Sequence, residues 1–473
     1  MQKGTTSRSV QRNVTAVLAR TELVFAAAMA LLLVACADRG VPPSDRRAGE
    51  ADSGYPLTQN ESAAGVDATD IIAARYPPLD PRRYGANAED GSANSDQAAL
   101  QMAVDVAEVA GGSVPLSEGV WNGCVTLGAP GVSIVGQGST ATVLLATGCD
   151  AITLDFVTGF GNTVIRDLDI EGARAASNTA INAPGTDSET DELYGLTIDR
   201  VLVRRFNVGF HSRTLRNFAI MNSWFQDVDR AVELLGKNLV GRIAYSTFVH
   251  GAGAGGAGPK VGLTVGAHTY ADGTLVPAEG LQVTFNQFYG FATGINLDFA
   301  TVVNVIGNDF QAAVSGVEFT TVQQKLNITD NTFDMAGSDV AYAIVGHGLA
   351  SEIDTKVAIE RNGILGTRTR NAVGIQINDD RNTNQYHVDI LGNFINGMTR
   401  YDIAYLNPGP GTIARNYAKS DRVEKCIKIG PRQSGNIRVY DNDCVGEIEF
   451  EADDERAGHL RLQDNTVSGR GER

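Results

Sequence analysis

One short phrase recurs along this chain and constrains its fold more than any other feature: an apolar strand, then Asn, any residue, and an aromatic or aliphatic one. It reads Ile220-Met221-Asn222-Ser223-Trp224, Phe285-Asn286-Gln287-Phe288, Gly307-Asn308-Asp309-Phe310 and Asp330-Asn331-Thr332-Phe333. Later copies centre on Asn362, Asn393, Asn416, Asn442 and Asn465. From Asn286 onward the steps are 22, 23, 31, 31, 23, 26 and 23 residues. Periods in this range belong to stacked units that bury their apolar faces only against one another.

Each phrase is followed by a second alternating run, such as Gly294-Ile295-Asn296-Leu297-Asp298-Phe299, Gly316-Val317-Glu318-Phe319, Gly374-Ile375-Gln376-Ile377 or Cys426-Ile427-Lys428-Ile429. Alternation in such short runs, punctuated by Gly, Asn and Asp, marks strands rather than helices. Two or three strands per 22–23 residues leave no room for a helix in each unit. A leucine-rich repeat needs a stricter Leu pattern, and a propeller blade a period near 40. The unit is therefore expected to be one coil of an all-β parallel β-helix, with roughly 12 coils rising about 4.8 Å each and a rod near 60 Å long. The recurrent Asn tolerates the left-handed backbone region at the turn between sheets, and stacked copies can form an amide ladder. These asparagines read as scaffold.

The N-terminus carries Lys3, Arg8, Arg12 and Arg20 before a 13-residue apolar run, Leu23 to Ala35. That run is too short to span a bilayer and fits a signal-peptide core. It ends in Leu33-Val34-Ala35-Cys36, which resembles a bacterial lipobox. The resemblance implies cleavage after residue 35, lipid on Cys36 and, with Ala37 next, the outer membrane rather than the inner one. Residues 36–75 are polar, small and Pro-containing and read as a flexible tether, leaving 76–473 as the folded domain. Loss of residues 1–35 takes the net charge from −16 to −19. So acidic a surface excludes nucleic acid as a partner, and it admits an acidic polysaccharide only where basic residues or Ca²⁺ bridge the like charges. Of the five cysteines, four remain after Cys36. Cys124 and Cys149 lie about one coil apart, and Cys426 and Cys444 lie 18 residues apart. In an oxidising compartment these local pairs are the favoured one of three connectivities.

Residues 79–138 differ from the repeats. Tyr84-Gly85-Ala86, Asp90-Gly91, Ser95-Asp96-Gln97-Ala98-Ala99-Leu100-Gln101, Gly111-Gly112-Ser113-Val114, Gly119-Val120-Trp121 and Ile134-Val135-Gly136-Gln137-Gly138 resemble the entry segment of the pectate-lyase-like superfamily. That superfamily includes tailspikes and polysaccharide-degrading enzymes. The resemblance implies a single-stranded right-handed parallel β-helix. Within the segment, Asn94 and Gln97 read as a capping-box pair, and Leu100, Val104 and Ala107 share one helical face. Such a helix would cover the open end of the first coil. Two insertions, residues 172–195 with Asp187, Glu189, Asp191 and Glu192, and residues 250–280 with a Gly/Ala run, should emerge as loops on the flank.

In the second strand of each coil the residues facing solvent read His211, Glu233, Asn296, Asp298, Glu318, Thr320, His347, Gln376, Asn378, Asp380, Lys428 and Glu449. Neighbouring coils bring such residues within one or two rungs, which matches the carboxylate separations of glycosidases. Asp298 with Glu318 is thus a candidate catalytic pair or half of a Ca²⁺ site, although alternation alone produces acidic stripes. Gly346-His347-Gly348, Asn378-Asp379-Asp380-Arg381 and Ile427-Lys428-Ile429 resemble pieces of the polygalacturonase signature in the wrong order, so its roles do not transfer. A lyase needs a base and a cation near the uronate carboxylate. His347, Arg381, His387 and Lys428 are candidates for these, with Asp379 and Asp380 as possible Ca²⁺ ligands. Tyr270, Tyr386 and Tyr401 are expected to line a sugar-binding groove, and Trp224 and Trp121 to be core. The favoured reading is a cell-envelope lipoprotein that degrades an acidic polysaccharide by β-elimination. The alternatives are a hydrolase or epimerase on the same scaffold, a carbohydrate-binding adhesion lipoprotein, or a structural solenoid.

Overall fold

A computed structural model describes residues 54–91, 95–155, 159–173, 178–188, 190, 192–251, 260–311, 314–335, 341–347, 355–366, 371–378, 386–406, 410–423, 425–430, 436–451 and 460–468. Gly54–Arg473 is one compact unit. Residues 1–35, expected to be a signal segment, and Cys36 lie outside the described residues.

Within this unit the chain winds as stacked coils of parallel strands. One strand of each coil enters a front sheet of thirteen strands, running from Val125–Leu127 through Arg230–Leu235, Thr293–Asp298, Ser315–Phe319 and Tyr342–His347 to Ile448–Phe450. The other two enter a back sheet with a long-strand face (Ala300–Ile306 pairing with Ala278–Thr284 and Val322–Thr329) and a short-strand face (Asp309–Gln311 pairing with Gln287–Tyr289). In the earlier strand Leu193–Arg204 both faces are still continuous.

The corner between the two back faces is where the recurrent phrase falls. From 222–223 to 464–465 it is two residues long in every coil. Its first residue always has positive φ, as in Tyr245 (54°), Phe285 (56°), Asp330 (56°), Arg361 (53°) and Arg415 (56°). Its second residue carries the ladder. Asn286, Asn308, Asn331, Asn362, Asn393, Asn416, Asn442 and Asn465 follow one another, each Nδ2 donating to the next Oδ1 at 2.9–3.0 Å. The expected ladder is present, but the left-handed conformation belongs to the residue before the Asn. Asn222 is the exception: it takes the left-handed position itself (51°), and Ser223 and Ser246 occupy the first ladder rungs, each accepting a backbone N–H of the coil before.

Inside, Phe225, Phe248, Phe288, Phe310 and Phe333 stack with centroids 4.7–5.2 Å apart. The front sheet meets them with glycine: a Cβ on Gly262, Gly294 or Gly316 would lie 2.5–2.7 Å from a ring carbon of Phe288, Phe310 or Phe333. Because Phe225 takes the inward position of its strand, Trp224 points outward and is 45% exposed, contrary to the core placement expected for it. Trp121 is fully buried, its Nε1 donating to the Ser117 carbonyl. Disulfides join Cys124 to Cys149 and Cys426 to Cys444.

The capping helix spans Gln97–Ala110 and buries Leu100, Ala103, Val104, Val106 and Ala107. Gln101 extends the sheet in side-chain form, its amide donating to Thr126 O at 2.9 Å and accepting from Thr126 N at 2.8 Å. The N-cap is Asp96, whose carboxylate accepts the Asn87 and Asn122 amides; Asn94 lies outside the described residues. The ordered unit also begins earlier than residue 76. Residues 54–75 include the helix Gln59–Ala63, and they are bound to the cap by a fully buried pair, Arg83 to Glu61. Arg83 also donates to the carbonyls of Tyr55, Pro56, Ala74 and Tyr76, and the Tyr84 hydroxyl donates to Glu61. One buried ion pair thus fixes residues 54–75 to this unit although they hold few apolar residues.

Candidate functional site

The lengths of the connections single out one face. While the corners within the back sheet are two residues long, the connections at both edges of the front sheet expand to as many as eleven: residues 267–277 on one side, 250–260 on the other. The first carries an antiparallel hairpin, His268–Thr269 with Leu275–Val276. The outward surface of the front sheet is a floor, raised at one edge by this hairpin; beside Asp298 and Glu318 the same edge turns within one and two residues (299 and 320–321).

Strand register fixes the order of side chains on this floor. One row runs Thr126, Thr153, Asn182, His211, Glu233, Thr264, Asn296, Glu318, Val345, Gln376, Ala404, Lys428, Glu449. Two residues further along the strands, Asp298, Thr320 and His347 lie at the edge of the floor. Two polar clusters form.

In the first, His211 Nδ1 is 2.9 Å from Glu233 Oε2, and Arg230 donates to the other carboxylate oxygen. Burial opposes charge on Glu233, yet hydrogen bonding to His211 and the Arg230 charge leave its pKa below the usual value. In the second, His347 Nε2 lies 3.3 Å from Glu318 Oε1, while Ser315 Oγ donates to Oε2 at 3.1 Å and Thr293 Oγ1 is 3.0 Å from Ser315 Oγ. The hydrogen bond to His347 holds the Glu318 carboxyl below its ordinary range, against the opposing effect of burial. Asp298 accepts from Thr320. One rung and two residues separate Asp298 from Glu318, which puts their Cβ atoms about 8 Å apart.

The other sequence-derived candidates are placed differently. Lys428 lies three strands beyond the His347 strand, ion-paired to Glu451 at 2.6 Å, so it does not join His347. Asp379, Asp380 and Arg381 lie outside the described residues, as does the side chain of Tyr386. Tyr270 does not line the groove: it is 2% exposed, its hydroxyl donating to Arg213 O and accepting the Lys237 amide at 3.1 Å each, which pins the hairpin to the coils below. Tyr401 faces outward but is buried in an apolar cluster. His387 belongs to the back sheet, bonded to Asp389 at 2.6 Å. Among the described residues no group of three or more His, Cys, Asp or Glu gathers as a metal site.

A margin cluster went unseen in the sequence. Glu192 pairs with Lys237 at 2.6 Å, Arg216 at 2.9 Å and the Tyr194 hydroxyl. Burial opposes its charge, but these hydrogen bonds bring its pKa down to about 2. The acidic run of the insertion was visible; its charged partners Arg216 and Lys237, 24 and 45 residues on, carry no local signal.

No protein-family model matches the chain, and no curated protein matches it. Solved structures do. The catalytic unit of the GH87 alpha-1,3-glucanase of Streptomyces thermodiastaticus is 14% identical, with a TM-score of 0.52 over 89% of this chain and 71% of that one. The chain is a parallel β-helix protein. The Streptococcus pneumoniae surface adhesin PfbA (15% identical, TM-score 0.48, 83% of this chain and 92% of that one) and the Azotobacter vinelandii mannuronan C-5 epimerase AlgE4 A-module (18%, 0.41, 82% and 100%) are further matches. At these identities the likeness is one of fold.

Proposed function

We propose that this β-helix protein is a polysaccharide-active enzyme that lays its glycan along the front sheet and hydrolyses it beside Glu318, His347 and Asp298. The observation that carries this reading is the Glu318–His347 contact on the solvent-facing floor, with a second carboxylate on the neighbouring coil. Glu318, kept ionised by His347, is suited to take a proton from an attacking water. Asp298 is then the proton donor to the departing glycosidic oxygen: water adds to the anomeric carbon, the carbon–oxygen bond breaks, and each product is a neutral sugar end. With their Cβ atoms about 8 Å apart, the two side chains can set their carboxyl groups at the separation of about 6.5–9.5 Å used by inverting glycosidases, which leaves room for that water.

β-Elimination on a uronate is the second reading, favoured by an imidazole oriented by a carboxylate. It fits the floor less well. Glu233, Asp298 and Glu318 would repel the substrate carboxylate, and Lys428 lies too far along the sheet to neutralise it. The same negative floor favours a neutral glycan.

The test is a screen of the protein against neutral and uronate-containing polysaccharides, reading reducing ends and the ultraviolet absorbance of unsaturated ends, with and without Ca²⁺. Reducing ends without absorbance, lowered about 100-fold or more by Glu318→Gln, are expected. Absorbance lost with His347→Ala would make the enzyme a lyase. Binding with silence on both channels would make it an adhesion module. In a hydrolase, the acid limb of kcat/KM should lie below pH 4.5, the ordinary value for Glu, because His347 lowers the Glu318 pKa. His347→Ala should move that limb upward; a limb that does not move would separate Glu318 from the role of base.

A further inference from the structure

The residue that follows each ladder asparagine faces outward on the short-strand face of the back sheet. In successive coils this row reads Asp309, Thr332, Gly363, Phe394, Tyr417 and Asp443. A solvent-facing row should be polar. Phe394 and Tyr417 break that pattern on adjacent coils: they are 42% and 45% exposed, and their rings stack with centroids 5.3 Å apart and planes within 10°. Lys419 Nζ, paired with Asp443 of the next coil, lies 4.9 Å from the Tyr417 centroid and closes that end of the stack. The other end is open. Gly363 stands opposite Phe394 on the coil before, and a Cβ built there would meet no described atom within 4 Å. The second exposed stack, Tyr245 on Phe285, also borders a glycine, but there the ring has moved over it: a Cβ on Gly307 would lie 2.6 Å from a Phe285 ring carbon. At Gly363 no ring has taken the vacated space.

The gap between Thr332 and Phe394 is two rungs, about 9.6 Å, which holds one ring in contact with Phe394 at about 3.5–4 Å. It opens beside the two-residue corners 330–331, 361–362 and 392–393, all of them among the described residues. Its rim is polar. Arg361, two residues before Gly363, donates to both carboxylate oxygens of Asp330 at 2.8 Å each, and both side chains are about half exposed. Thr332 and Asn396 are also exposed beside it. A pyranose matches these surroundings, with an apolar C–H face for the Phe394 ring and hydroxyls around its edge for the guanidinium, carboxylate, hydroxyl and amide. We propose that the Gly363 slot binds one pyranose unit of a neutral glycan, stacked on Phe394, on the back sheet of the rod. Asp330 and the acidity of the chain disfavour a uronate. A protein partner would need an apolar patch far larger than Phe394, Tyr417 and the neighbouring Leu365. The site would hold a polysaccharide whether or not the front sheet cuts it.

The test is electrophoresis of the protein through native gels containing dextran, pullulan, laminarin, xylan or galactomannan, with alginate as the acidic comparison. At least one neutral glycan should retard it. Gly363→Val fills the slot and leaves the stack in place. Because valine suits a strand and displaces no described atom, the melting temperature should hold or rise. The affinity read from the retardation should fall about tenfold, the scale of one lost stacking contact. Phe394→Ala should lose as much, and Phe394→Trp, which keeps a ring face, should bind. Glu318→Gln should be retarded like the parent even where it no longer cuts, so the slot and the hydrolytic reading fail separately. Unchanged retardation of Gly363→Val would leave the glycan to the front sheet alone and overturn the slot. No retardation of the parent by any of the five neutral glycans would overturn it too. Self-association of the parent that Gly363→Val abolishes would give the slot to a protein side chain and overturn the glycan.

Discussion

Asn331 accepts two hydrogen bonds through Oδ1, from the backbone and side-chain nitrogens of Asn308, and donates two through Nδ2, to Val305 O and Asn362 Oδ1. All its polar capacity is used in a position 1% exposed. Asn331→Ala would strand buried groups on both adjacent coils, at about 1–3 kcal/mol per group. The expected loss is about 3 kcal/mol or more in urea unfolding; a loss under about 1 kcal/mol would show that water replaces the amide. Asn331→Ser, which supplies the hydroxyl that Ser223 and Ser246 use at their rungs, should fall between. The phrase itself made the ladder legible. What it hid is the left-handed residue one step earlier, since Phe285, Asp330, Arg361 and Arg415 carry no glycine signal there. The corner is set by the ladder and the two sheets it joins, and these override local preference. Trp224 was misread for a related reason: the inward position of its strand is set by Phe225 stacking on Phe248, a contact with a residue 23 positions on.

At the scale of elements, the capping helix was legible because its apolar residues keep helical spacing. The segment before it was not. Residues 54–75 resemble a linker in composition, and their place depends on Glu61 and Arg83, charged residues that composition assigns to solvent. Removing one partner of a buried ion pair typically costs about 3–5 kcal/mol, because the other charge is left without compensation. Arg83→Met is therefore expected to lower the melting temperature and expose residues 54–75 to proteolysis before the coils unfold. A chain beginning at residue 76 should be destabilised like the point variant. If that shorter chain melts with the one beginning at residue 54, the extension is dispensable and Arg83 has found other partners. The same dependence on distant partners separates the legible part of the candidate site from the rest. Alternation placed His211, Glu233, Asp298, Glu318 and His347 on one outward face, and register confirmed their order. It could not reveal that Tyr270 folds beneath a hairpin, or that Tyr401 faces outward and is still buried.

For the folded unit as a whole, titration gives two opposed trends. Glu192 ionises near 2 in the fold against 4.5 when free. Its contribution is complete above about pH 4.5 and is lost as the pH falls toward 2; Glu318 and Glu233, both lowered, act in the same direction. Asp402 is the reverse. Burial raises it to about 7 against 3.8, with Ser420 opposing the rise only in part, and its Oδ2 has no partner among the described residues. It stands at the inward position that Gly294 and Gly316 hold in earlier coils, where burial favours the protonated form. The native state then binds a proton that the unfolded chain releases, and stability falls as the pH rises from about 4 to about 7. Asp169, raised to about 6 by burial although Arg204 draws it down, adds to this. Stability should therefore peak near pH 4 to 5, on the acid side of the range usual for proteins, between about 5 and 8. Asp402→Asn tests the cause, since a neutral amide of the same shape has no proton to lose. Melting temperatures measured from pH 3 to 8 should keep the acid limb in this variant and lose most of the decline between pH 4 and 7. An unchanged decline would assign that trend to other groups and show that Asp402 reaches solvent.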